Sequence, residues 1–125
     1  MRFTTLNFTV GQLVFTFICY WHGNRSGFKH ETELHSNGFY GTASVQYYNR
    51  TWESYDYQSV IWKLVDNLLE REKTYLKDRF KEENGIQKIT KKRTQAFEYF
   101  CNSSDRFKTL TELERKIRSG EYTSN

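Results

Sequence analysis

The segment that decides the fold is FYGTASVQYYNRTWESYDYQSVIWKLVDNLL, residues 39–69. Its first part, Phe39 to Tyr48, alternates between apolar and polar side chains, which is typical of a half-buried strand. Its second part carries apolar residues at helical spacing, which is the pattern of an amphipathic helix: Ile61, Leu64, Val65, Leu68 and Leu69. The segment therefore predicts a strand followed by a long helix over residues 56–83.

Three earlier segments predict the rest of a sheet. Residues 6–10 and 28–35 alternate between apolar and polar side chains. Residues 13–21 are apolar on both faces, which is typical of a central strand. Asn37-Gly38 is a strong hairpin signal, because a type I′ turn needs a positive φ at both central residues. We therefore predict four antiparallel strands in sequence order.

The long helix has a predicted position and a predicted end. Gly41 and Ala43 are small residues on the face of the fourth strand that also carries Phe39. They leave room on the sheet, so we expect the long helix to pack there. Asn84-Gly85 is typical of a helix C-terminus and predicts where this helix ends.

Two shorter helices are predicted after Gly85. Residues 86–101 form the first, with these residues facing inward: Ile89, Ala96, Phe97 and Phe100. Thr109 and Glu112 have the spacing of a capping box, which predicts the start of the second, and Gly120 ends it. The last residues of the chain are expected to be frayed.

The chain is therefore predicted to be an α+β protein. A four-stranded antiparallel β-meander, residues 1–48, packs on a long α-helix, residues 56–83, and two shorter helices follow in residues 86–118. No linker separates these parts, and 125 residues suffice for one core. We therefore predict a single domain over residues 1–125.

Composition narrows the class of protein. The net charge of +4 is a mild basic bias, which favours anionic partners and argues against an acidic mimic of DNA. Cys19 and Cys101 are too few for a disulfide framework and predict two reduced, buried thiols. The apolar stretch of residues 13–21 is too short to cross a bilayer, and no signal peptide is recognised, so we predict a cytoplasmic protein without a membrane partner.

The sequence holds little that predicts catalysis. Glu31, Glu33 and His35 share one strand face, but alternate residues stand about 6.6 Å apart, so a solvated face is favoured over a metal site. His30 lies on the apolar face, where a hydrogen-bonded core histidine is favoured over a general base. No phosphate loop, dinucleotide turn or zinc spacing is present. We therefore predict no enzyme activity, no metal and no cofactor.

Candidate binding residues are basic or aromatic. Lys88, Lys91, Lys92 and Arg93 form either a solvated helix face or a patch that contacts phosphates. Arg25 and Arg50, with Lys29, would extend this patch from the sheet. The tyrosines exceed what one core readily buries, so Tyr40 and Tyr48 are core residues, base-stacking platforms or protein-binding hot spots. Trp52 and Trp62 are predicted to be core anchors.

One stretch resembles a known class of proteins. The run from Tyr47 to Val60, YYNRTWESYDYQSV, with Gly27-Phe28-Lys29-His30 upstream, looks like small open reading frames carried by bacteriophages and integrated mobile elements. The resemblance covers roughly residues 1–70. Accessory proteins of this class include anti-CRISPR inhibitors, which act by binding a nuclease effector. The resemblance therefore implies a host CRISPR nuclease or another defence protein as the partner, inside a bacterial host.

Two functions are therefore expected. The first is a non-enzymatic inhibitor that binds a host defence nuclease directly, most plainly a Cas9-type effector. The alternative is a nucleic-acid-binding accessory protein of phage replication or regulation, which would use the basic cluster of Lys88, Lys91, Lys92 and Arg93. Neither function sets an oligomeric state.

Overall fold

The computed structural model describes residues 2–24, 27–36, 38–48 and 57–124. Its strands are β1 Arg2–Val10, β2 Leu13–Asn24, β3 Gly27–Ser36, β4 Phe39–Tyr48 and β5 Thr123–Ser124. Within the sheet their order is β4-β3-β2-β1-β5. The first four strands pair antiparallel with their sequence neighbours, so the predicted meander is confirmed. β2 lies in the middle of the sheet, as its two apolar faces predict.

In the part of the chain that the structure describes, three α-helices follow β4. α1 spans Tyr57–Asn84, α2 spans Thr94–Asn102 and α3 spans Asp105–Ser119. The predicted α+β class and the long helix are therefore confirmed, and Gly85, with a φ of 61°, follows the end of α1 as expected. The sequence favours Asp56 or Ser54 as the N-cap of this helix, and both positions lie outside the described residues.

The core lies between the sheet and the helices. Side chains alternate along each strand, so one face of the sheet is apolar and is covered by α1 and α3. This face and the two helices share one cluster of buried side chains: Leu6, Phe8, Phe15, Phe17, Leu34, Phe39, Ile61, Leu64, Val65, Leu68, Leu110, Leu113 and Ile117. A Cβ placed on Gly41 would lie 3.5 Å from Cδ2 of Leu64, so the long helix packs where the small residues predict.

The distal half of α1 is held by the other helices. Leu76 and Phe80 are buried, and the Phe80 ring meets the rings of Phe97 and Phe100 at centroid distances of 5.4 and 5.5 Å. Arg106 of α3 donates to Glu72 and stacks over the Phe39 ring at 4.0 Å. Beyond Glu70, where apolar residues of α1 are sparser, α2 supplies the rings that pack against Phe80.

The second helix differs from its predicted bounds. Residues 86–90 are not helical, Lys91–Arg93 form a 3₁₀ turn, and α2 begins only at Thr94. Ala96, expected to face inward, is exposed. Residues 88–93 are rich in basic side chains. They carry no apolar stripe, so an α-helix here would bury no apolar surface that could stabilise it.

The third helix begins earlier than predicted. Ser104 is its N-cap, and the Ser104 hydroxyl accepts a hydrogen bond from the Phe107 amide at 3.2 Å. Thr109 lies inside the helix and therefore cannot be its N-cap, although its spacing to Glu112 fits a capping box. Gly120 ends the helix with a φ of 71°, as predicted.

The last residues pair with the sheet, contrary to the expectation that they fray. β5 adds to β1 at two positions, Leu6 with Ser124 and Asn7 with Thr123. Lys116 of α3 donates to the Thr9 carbonyl at 2.6 Å, and Gly120 then turns the chain back toward the sheet. The docking of α3 on β1 therefore brings these residues within reach of the sheet edge.

Trp62 is not a core anchor. Its exposed fraction is 40%, and the guanidinium of Arg118 lies 5.4 Å from its ring centroid. Ile61, Leu64 and Val65 define the buried side of α1, and Trp62 falls outside that stripe. Trp52, the other expected anchor, lies outside the described residues.

Both cysteines are free and buried, as predicted. The Cys19 sulfur lies 3.9 Å from the Phe17 carbonyl oxygen and 3.5 Å from the Thr32 hydroxyl. Burial raises the pKa of the Cys19 thiol from 9.0 to about 11, although the Thr32 contact lowers it. The thiol therefore stays neutral in the folded protein at a pH where the unfolded chain ionises.

Alkaline unfolding should reveal this buried thiol. Its folded pKa is raised, so its contribution to stability is complete below about pH 9 and is lost as the pH rises through about 11. We expect Cys19 to account for a loss of about 2 kcal/mol between about pH 8 and pH 10.5. Urea unfolding of the wild type and of Cys19→Ala at both pH values measures the difference. An equal loss in both proteins would contradict it.

Candidate binding surfaces

One face of the sheet carries exposed aromatic side chains. This surface, here called the open face, lies opposite the helices and includes Phe3, Val14, Tyr20 and Tyr40. Phe3 is 68% exposed, Tyr40 62% and Val14 46%. The Phe3 ring lies 6.2 Å from the Tyr20 ring, on directly paired residues of β1 and β2. Contiguous exposed apolar groups mark protein-binding sites, and on this face the Phe3 and Tyr20 rings lie side by side.

The charged residues of the open face pair with one another. Lys29 donates to Glu31 at 2.8 Å, and this hydrogen bond holds the pKa of the Glu31 carboxyl below its ordinary value. Glu33 lies 3.4 Å from His35, and Glu31 lies 3.9 Å from His22. The predicted solvated strand face therefore carries one ion pair, Lys29 with Glu31, and two contacts between a carboxylate and a histidine ring. Among the described residues, no group of three potential ligands is arranged to hold a metal ion.

His30 lies in the core, as predicted from its place on the apolar face. It is buried on β3 beside Thr32, and it pairs across the sheet with Trp21 and Val45. Its ring is therefore remote from solvent, whereas His22 and His35 lie on the open face.

The basic cluster forms a separate surface, here called the basic segment, residues 88–93. Lys88 lies in the connection after α1, and Lys91, Lys92 and Arg93 form the 3₁₀ turn. The three lysines are exposed and Arg93 is partly buried. In the part of the chain that the structure describes, none of the four takes part in an ion pair. Their charges are therefore free to meet an anion.

The predicted binding residues do not form one patch. Leu64 of α1 packs on Gly41, next to Tyr40. From Leu64 to Asn84 the helix rises about 30 Å, and the basic segment follows that end. Tyr40 and the basic segment are therefore far apart. Arg25 and Arg50 lie outside the described residues, and only the backbone of Tyr48 is described, paired with Gly27.

Two surface residues escaped the sequence prediction. Phe3 lies on β1, which begins at Arg2 rather than at Leu6, so the alternation that marks Phe3 as outward-facing starts earlier than expected. Tyr99 is 77% exposed on α2, opposite the side that holds Phe97 and Phe100 against α1. A helical projection of residues 94–102 separates Tyr99 from those two rings.

We compared the chain with protein-family models, with curated proteins and with solved structures, and none of the three comparisons finds a match. The resemblance to phage accessory proteins therefore remains an expectation from the sequence. Among the described helices, none combines the length and the apolar character needed to cross a membrane.

Proposed function

We propose that this chain is a non-enzymatic binding protein that docks onto a partner protein through the open face of its sheet. The observation that carries the proposal is the exposure of Phe3, Val14 and Tyr40 on the face opposite the helices. Aromatic side chains lose little conformational entropy on binding and supply much apolar area, so they dominate interface energies. The ion pair of Lys29 and Glu31 and the contact of Glu33 with His35 would form the polar surround.

The partner class comes from the resemblance. Small phage and mobile-element proteins of this kind include inhibitors of CRISPR nucleases, so we propose a host defence nuclease as the partner and inhibition by direct binding as the activity. Exposed apolar groups on the open face suit this role, because binding through contact area needs no reacting group.

The test is capture of a Cas9-type nuclease by the tagged chain, followed by a DNA cleavage assay. Phe3→Ala and Tyr40→Ala are each expected to weaken capture by about tenfold or more. Tyr99→Ala is the matched control, since Tyr99 is even more exposed than Phe3 and Tyr40 but lies on α2. Absence of a complex and of inhibition would remove the nuclease as partner. Equal capture by all three variants would remove the open face as the site.

A second function is supported by a different observation. The four cations of the basic segment, Lys88, Lys91, Lys92 and Arg93, lie within six residues and without ion pairs among the described residues. Such a cluster binds phosphates and releases their counterions. We therefore propose nucleic-acid binding as the alternative function, in phage replication or regulation.

Salt dependence measures this alternative. If all four cations contact phosphates of duplex DNA, the logarithm of affinity should fall with the logarithm of salt concentration with a slope of about −3.6. The double variant Lys88→Gln/Lys91→Gln should lose about half of that slope, measured by fluorescence anisotropy at several salt concentrations. Lys108→Gln/Arg115→Gln removes the same charge from α3 and should leave the slope unchanged. A slope near zero, or no binding at micromolar protein, would contradict the alternative.

A further inference from the structure

β4 is an edge strand with part of its backbone directed outward. Among the described residues it pairs with β3 alone. The Ser44 carbonyl accepts a hydrogen bond from the Lys63 amine at 2.7 Å, so the backbone of Ser44 points away from β3. Along an antiparallel strand, the backbone groups of every second residue point to the same side. The amide and carbonyl groups of Tyr40 and Thr42 therefore also point away from β3. These groups can add another strand.

A cleft runs between this edge and α1. It has a volume of about 340 Å³ and is lined by His35, Tyr40, Gly41, Thr42, Leu64, Asn67, Leu68 and Arg71. Gly41 presents no side chain, so Leu64 and Leu68 form an apolar floor that can be reached from the strand edge. The volume is at the lower end of the range for ligand sites, enough for one or two small side chains.

The cleft is cationic. Lys63, Asn67 and Arg71 follow one another at intervals of four residues, so they form one row along the side of α1 next to β4. Arg71 is exposed and, among the described residues, takes part in no ion pair. Among the residues that the structure describes, no carboxylate lines the cleft. The nearest one on the strand side is Glu33, paired across the sheet with Thr42, and its partner is His35.

We infer that this edge binds an extended, acidic peptide segment of a partner protein by adding it as a strand beside β4. The peptide backbone pairs with the amide and carbonyl groups of Tyr40 and Thr42. A small apolar side chain enters the cleft above Gly41, and a carboxylate meets Arg71. This mode takes its affinity from main-chain hydrogen bonds and its specificity from alternate side chains.

A second copy of this chain fits the edge less well. A symmetric pair of β4 strands would bring the same surface of both copies together. The Lys63 and Arg71 rows of the two copies would then approach each other without carboxylates in the cleft to separate them. The inference concerns the sheet edge and does not depend on a nuclease being the partner of the open face.

The test uses short labelled peptides and the full chain. A seven-residue peptide of alternating valine and glutamate should bind saturably below about 1 mM, measured by fluorescence anisotropy at low salt. The same peptide with lysine in place of glutamate should not bind. A third peptide, with proline in place of the central valine, lacks one backbone donor and should bind at least fivefold more weakly.

Charge variants locate the site. Arg71→Gln should weaken binding of the glutamate peptide about fivefold or more, because the ion pair between Arg71 and a peptide carboxylate is lost. Arg79→Gln is the matched control on the same helix, since Arg79 is exposed and pairs with Glu83. Equal binding of the lysine peptide, equal affinity in both variants, or no binding at all would overturn the inference. So would a dimer in sedimentation that the peptide does not dissociate.

Discussion

Replacing Phe17 by alanine is expected to lower the free energy of unfolding by about 3–5 kcal/mol. Phe17 is fully buried on β2, and its ring meets that of Phe8 edge to face at a centroid distance of 5.7 Å. Its removal leaves a cavity at the centre of the sheet, where neighbouring strands cannot close in. Domains of this size have a total free energy of unfolding of about 5–15 kcal/mol, so the expected loss is a large part of their stability. Urea unfolding measures it.

Phe3→Ala is the matched control for this prediction. Phe3 lies on the neighbouring strand, but on the open face, with 68% of its side chain exposed. Its replacement should change the free energy of unfolding by about 0.5 kcal/mol or less. Similar losses for Phe3→Ala and Phe17→Ala would contradict the assignment of the two faces. Since Phe3→Ala stays folded, it also serves in the binding assays.

The second large effect is expected at the contact between the long helix and β4. Leu64 is buried, and its Cδ2 atom lies 3.5 Å from the place where a Cβ of residue 41 would stand. Leu64→Ala should cost about 2–5 kcal/mol, because the space it leaves faces a glycine that cannot fill it. Thermal or urea unfolding measures the change.

A double variant separates this contact from a general loss of packing. Gly41→Val alone brings its Cβ into ordinary contact with Leu64, so it should change the free energy of unfolding by about 1 kcal/mol or less. Combined with Leu64→Ala, the valine fills the vacated space, so the total loss should be at least about 0.5 kcal/mol smaller than the sum. Leu113→Ala, on α3 beside β1, should instead add to Gly41→Val. Additive losses for both pairs would contradict the contact.

The sheet and the long helix were predictable because their patterns are local and strong. β3 alternates over its whole length, and α1 keeps its stripe from Val60 to Leu69. Gly41 and Ala43 even predicted where the helix packs. Trp62 was predicted to be a core anchor, although the same stripe already excluded it.

The C-terminal part was less predictable because tertiary contacts decide it. The spacing of Thr109 to Glu112 predicted the start of α3, but the cap is Ser104, whose hydroxyl accepts a hydrogen bond from the Phe107 amide. The pairing of β5 with β1 depends on the docking of α3, which lies far away in the sequence from Leu6. No local pattern in residues 121–124 carries that signal.

The candidate sites depend even more on three-dimensional placement. The basic segment can be recognised in the sequence as a run of charges. The sequence does not show that this segment lies the length of a helix away from Tyr40. The cleft beside β4 joins residues of β3, β4 and α1, and Arg71 is one of many charged residues on that helix. Only the placement of α1 along the strand edge distinguishes it from the others.

The late arrival of α3 in the chain has a consequence for synthesis. Leu110, Leu113 and Ile117 cover the part of the apolar face that belongs to Leu6 and Phe8. Ribosomes add about 5–20 residues per second, so the strands and α1 emerge seconds before this cover does. During that interval the apolar surface formed by Leu6 and Phe8 is exposed to solvent. A nascent chain stalled before residue 105 should therefore be a substrate for chaperones. A translational pause early in α3 would therefore lower the yield of protein without changing one amino acid.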